Sequence, residues 1–104
     1  MNALLRSLAA VTIAATLLAA CGHGGHSRGI FHGHVVRKTE AEVKALMGEP
    51  AEVDRKNADS PVLVYVNKTF DPDNGNKVDA KTIVFLHKDD KGNVVAYDTS
   101  FTPG

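Results

Sequence analysis

One stretch of this chain carries every mark of a helix, and the residues after it read as strand and turn. Thr39-Glu40-Ala41-Glu42 has the form of a capping box: the threonine hydroxyl can accept from the Glu42 amide while the Glu42 carboxylate reaches back. Ala41, Val43, Leu46 and Met47 supply an apolar stripe at helical spacing, and Glu40 stands four residues before Lys44. Gly48 tolerates a left-handed cap and Pro50 cannot continue a helix, so the element should cover 40–47. A helix of about two turns is not stable alone in water, so its stripe must pack against something.

The downstream sequence offers a sheet for that purpose. Pro61-Val62-Leu63-Val64-Tyr65-Val66-Asn67 is β-branched and bounded by breakers, and Asp71-Pro72-Asp73-Asn74-Gly75-Asn76 is a strong turn signal. Thr82–His87 reads as a second strand, Asp90-Lys91-Gly92 as a tight hairpin loop, and Val94–Phe101 as a third strand. A short strand around 51–55 is compatible with the pattern. Pairing Asp89 with Asn93 sets Phe85 opposite Tyr97 and Ile83 opposite Thr99. Ile83, Phe85, Val95, Tyr97 and Phe101 are then expected to face the helix; a register one residue different would move that face. The expected fold is α+β in two layers, a short N-terminal helix packed on an antiparallel three-stranded β-meander.

The N-terminal segment is of another kind. A cation at Arg6 precedes the apolar run Leu8 to Leu18, which is too short to span a bilayer. The run closes on Leu18-Ala19-Ala20-Cys21, with small residues ahead of the sole cysteine. This pattern resembles the lipobox of bacterial lipoprotein signal peptides. The resemblance implies cleavage between Ala20 and Cys21 and diacylglyceryl transfer to the Cys21 sulfur. Gly22, rather than Asp, comes after the cysteine, which in such lipoproteins implies sorting to the outer membrane. Removal of 1–20 leaves 84 residues, one small domain, with no second thiol for a disulfide. Eleven Lys and Arg then face twelve Asp and Glu, interspersed along the chain, which argues against a nucleic-acid partner.

Residues 21–34 are expected to form a lipidated tether, with the domain proper over 35–104. Positions 22–34 hold five glycines and only two sizeable apolar side chains, Ile30 and Phe31. Such a segment repays little of its ordering entropy and would span about 20 Å as a flexible chain. His23, His26, His32 and His34 are joined by glycines that would let imidazoles converge on zinc, copper or nickel. The plainer reading is a polar linker rich in histidine, since no carboxylate or second thiolate completes a site.

The order of motifs across 36–99 resembles the SmpA/OmlA (BamE-like) family of small outer-membrane lipoproteins. The resemblance rests on Thr39-x-x-Glu42-Val43, on the helix closing over Leu46-Met47-Gly48-Glu49-Pro50, on a strand bearing Tyr65, and on a final hairpin. Lys38 stands where that family usually has a glycine before the capping threonine, and the tryptophan common in its first strand is absent. The resemblance implies a helix-then-meander domain facing the periplasm and an accessory role beside outer-membrane barrel-assembly proteins.

Catalysis finds no footing in the sequence. His87, in a strand beside Lys88-Asp89-Asp90, has no nucleophile to serve. Asp71, Asp73, Asn74 and Asn76 lack the twelve-residue pattern and terminal glutamate of a calcium loop. Two functions remain. The first is a non-catalytic interaction module anchored by lipid, with Val62, Val64 and Val66 on an open edge strand that could accept a partner strand. The second is a metal-handling lipoprotein using the four histidines before the domain.

Overall fold

The computed structural model describes residues 25–104. The capped helix forms where its signals stand, over Glu40–Met47. Thr39 Oγ1 accepts from the Glu42 amide at 3.2 Å and the Thr39 amide donates to Glu42 Oε1 at 3.0 Å, so both halves of the box close. Gly48, at φ 86°, ends the helix in a conformation that a side chain rarely adopts.

A second helix precedes it. In chain order the described elements are β1 (His26–Ser27), α1 (Arg28–Val35), α2 (Glu40–Met47), β2 (Glu52–Asp54), β3 (Val62–Val66), β4 (Thr69–Asp71), a single 3-10 turn (Pro72–Asn74), β5 (Lys77–Lys88) and β6 (Val94–Pro103). Together they make an α+β domain of two helices and a mixed six-stranded sheet. The long β5 is the hub. β6 runs antiparallel along one side of it, while β4 and β3 pair antiparallel with its beginning and its remainder. β2 extends the sheet beyond β3, and β1 adds a two-residue parallel pairing beyond β4. The sheet is therefore larger than a three-stranded meander.

Four expectations need correction. The flexible tether over 21–34 does not hold for 26–34, which is strand and helix. Phe31 and Val35, four residues apart on α1, are both fully buried, and two such side chains offset the glycine penalty. Ser27 caps this helix through its hydroxyl, 3.4 Å from the Ile30 amide. The core face is also the opposite of the one expected for Ile83, Phe85, Val95 and Tyr97, whereas Phe101 packs against the core as expected. Leu63, Tyr65, Val84, Leu86 and Ala96 join Phe31, Val35, Val43 and Met47 in the core, with Phe101 packed partly against it.

The third correction concerns register. Lys88↔Val94, His87↔Val95 and Leu86↔Ala96 conform to the expected pairing, but Phe85 then pairs with Asp98. A β-bulge at Tyr97 inserts the extra residue. The fourth concerns the expected open edge: β3 is internal where Val62–Val64 lies, with β2 on one side and β5 on the other.

A buried polar network explains why α1 docks. Asp79 is 1% exposed, and its carboxylate takes both the Nε and one terminal nitrogen of Arg28. The Thr69 hydroxyl donates to Asp79 Oδ2 at 2.7 Å. Having spent its proton there, Thr69 accepts from the Thr82 hydroxyl at 2.6 Å. Arg28 also lies 3.3 Å from Asp71 and over the Phe101 ring. Burying Asp79 would be costly without this full set of partners.

Candidate partner-binding face

Both described helices pack on the core side of the sheet, so strand alternation turns a second apolar set to the other side. Val62, Val64 and Val66 of β3 point there, beside Phe85, Ile83 and Lys81 of β5 respectively, because directly paired residues share a face. The rows continue onto β2, where Glu52 pairs with Val64 and Asp54 with Val62. On β6 they reach Ser100 beside Ile83 and Asp98 beside Phe85. The three valines expected as partner contacts thus lie in one surface with Ile83, Phe85 and Tyr97. All three lie on a sheet face, and Val62 and Val64 do not stand on a free strand edge.

The Tyr97 bulge shapes one end of this surface. Its ring stacks on His87 at 4.2 Å between centroids and lies 6.5 Å from the Phe85 ring at a tilt. Tyr97 is 49% exposed and Val66 50%, while Val62, Val64, Ile83 and Phe85 are half-buried by one another. The centre of the surface is uncharged. Glu52 and Asp54 stand along the β2 flank and Asp98 along the β6 flank, with Lys81 at one end. The Asp54 and Asp98 carboxylates each accept a neighbouring amide, from Lys56 at 3.0 Å and Thr99 at 2.8 Å, which fixes them at the rim. Sequence reasoning misses Ile83, Phe85 and Tyr97 as surface residues because it assigns them to the core.

The histidines are held apart. His32 Nδ1 lies 2.6 Å from Thr99 Oγ1 and links α1 to β6. His34, two positions on, points to a different side of the helix and is exposed. His26 packs edge-on against Phe31, and its Nε2 is buried with no hydrogen-bond partner among the described residues. Burial, with Lys68 and His34 nearby, pushes its pKa below 6.5. Gly29 and Gly33, expected to let the imidazoles converge, are helical. Among the described residues no group of three or more His, Cys, Asp or Glu side chains is placed to hold a metal. His23, Ala20 and Cys21 lie outside the described residues, as does the apolar run before them. Among the described residues no helix is long and apolar enough to cross a membrane.

On the helix side the charges serve the fold. Arg55 binds both Glu40 oxygens and Lys44 approaches the same carboxylate at 3.0 Å. Arg55 and then Lys44 hold the Glu40 pKa down at about 2. No family model, curated protein or solved structure matches the chain.

Proposed function

We propose that this chain is a lipid-anchored, non-catalytic interaction module of the bacterial outer membrane, facing the periplasm, that docks a partner protein through the outer sheet face. The observation that carries the reading is the apolar surface around Val64, Ile83, Phe85 and Tyr97, on the side of the sheet away from both described helices. An apolar sheet face that neither described helix covers is a natural place for a partner to bind. The lipobox pattern ending at Cys21 supports the anchor. The SmpA/OmlA-like order of motifs supports a helix-on-meander reading of α2 with β3, β5 and β6, and an accessory role beside barrel-assembly proteins.

The test is affinity purification of the full-length chain from gently solubilised envelopes, wild type beside Val64→Lys, with mass spectrometry of the eluate. Lysine at 64 would stand opposite Glu52, so the fold should survive; far-UV circular dichroism checks this. Stoichiometric partners, barrel-assembly proteins among them, should be recovered with wild type and lost with the variant. A bait without partners, or equal capture by a folded Val64→Lys chain, rejects the docking role. The mass of the mature N-terminus, with diacylglycerol on Cys21, tests the anchor separately.

A further inference from the structure

Resting on the docking reading above, the geometry points to the class of partner: a cationic amphipathic helix that lies along the strands, its apolar stripe on Val64, Ile83 and Phe85 and its basic flanks against Glu52, Asp54 and Asp98. Three observations lead there. The first is dimension. From the Lys81 row to the His87 row is six residues of β5, about 20 Å, which a helix of roughly 13 residues spans. Across the sheet, β2 and β6 stand three strand spacings apart, about 14 Å, wide enough for one helix of about 10 Å diameter between the two flanks.

The second observation is the arrangement of charge. The middle of the surface is apolar, and acidic side chains border it on both long sides, Glu52 and Asp54 on β2 and Asp98 on β6. An occupant needs an apolar stripe flanked by cations on both sides, which is the pattern of a basic amphipathic helix. Lys81 lies at an end, where it does not oppose such flanks.

The third is what the same charges exclude. A second copy packed face to face would bring acidic flanks against acidic flanks. An anionic lipid surface would be repelled by the same carboxylates. A strand added in the plane of the sheet at β3 would find that strand already paired on both sides over Val62–Val64.

The experiment uses the full-length chain in phosphatidylcholine nanodiscs, with empty discs subtracted, and two synthetic amphipathic peptides of ~14 residues. Both peptides carry the same leucine stripe; one has lysine flanks and the other glutamate flanks. The lysine peptide should bind at least about tenfold tighter, and its affinity should fall as salt rises. Glu52→Gln/Asp54→Asn/Asp98→Asn, which keeps every hydrogen-bond acceptor, should erase the preference, and Val64→Lys should remove the binding. Equal affinity for both peptides, lost in Val64→Lys, overturns the charge assignment and leaves the docking face standing. Binding that ignores Val64→Lys, or no binding by either peptide, overturns the helix assignment; the envelope capture then decides the docking role on its own.

Discussion

Phe31→Ala measures whether the segment over 26–35 belongs to the fold or hangs from it. Phe31 has no exposed surface, and its ring meets Tyr65 at 6.0 Å and Phe101 at 6.4 Å, both edge-on. Truncating a buried phenylalanine costs about 3–5 kcal/mol, the removed transfer energy plus the cavity left behind. The two aromatic contacts place this site in the upper half of that range. The 80 described residues should have a total stability of about 4–12 kcal/mol. The alanine variant would therefore lose a large fraction of it, or unfold. Phe31→Leu, nearer in volume, should cost about 1 kcal/mol and keeps the measurement within range. Urea unfolding of the full-length chain, monitored by circular dichroism, gives both midpoints. An unchanged slope assigns the shift to stability. A loss below about 1 kcal/mol for Phe31→Ala would return residues 26–35 to a tether and refute the packing argument.

The charged and capping groups give three further outcomes. Arg28 and Thr69 hold the Asp79 carboxyl below its ordinary range against the opposing effect of burial, and Arg55 and Lys44 hold Glu40 at about 2. Both carboxylates therefore contribute stability above the unfolded pKa, and that contribution is lost as pH falls through the folded values. The urea midpoint should fall steeply between pH 4.5 and about 2, and Glu40→Gln should flatten part of the slope; an unchanged slope in the variant contradicts the assignment. His26, pushed down by burial and then by Lys68 and His34, adds a gentler loss that begins as pH drops below 6.5. Its imidazole resonances should titrate below 6.5, and a midpoint at or above that value would contradict the burial. Thr39→Ala removes one half of the capping box and should cost about 1 kcal/mol in urea melts; a change within error would mean the box contributes nothing.

The parts of this fold legible in the sequence are those specified by local chemistry. Thr39 with Glu42 starts α2 and Gly48 ends it, and each signal acts on its own neighbours, so the helix is readable residue for residue. The hairpin loop is equally local: the Asp89 amide donates to the Asn93 carbonyl and Gly92 takes φ 84°. What the sequence hides is set by distant partners. Helix α1 contains Gly29 and Gly33 and reads as a linker. It holds because Arg28 finds Asp79, fifty-one residues on, and because Phe31 and Val35 find a core. The spacing of Phe31 and Val35 after Ser27 is the signal available. The face assignment fails for a different reason. Val62, Leu63, Val64, Tyr65 and Val66 are all apolar or aromatic, as are Ile83 through Leu86, so alternation gives no contrast between inside and outside. The same ambiguity conceals the candidate docking face, since its residues count as core.

The contact of α1 with β6 bears on the order in which the molecule can assemble. His32 meets Thr99 across sixty-seven residues, so closing this contact means ordering nearly the whole chain between them. The hairpin of β5 and β6, joined by a short turn, can zip early and carry β3 with it. Helix α1, eight residues long with two glycines, has little tendency to form by itself and should dock only once the final strand is in place. Helix α1 would thus be the last described element to lock and the first to loosen. A nascent chain would carry α1 open until β6 had formed.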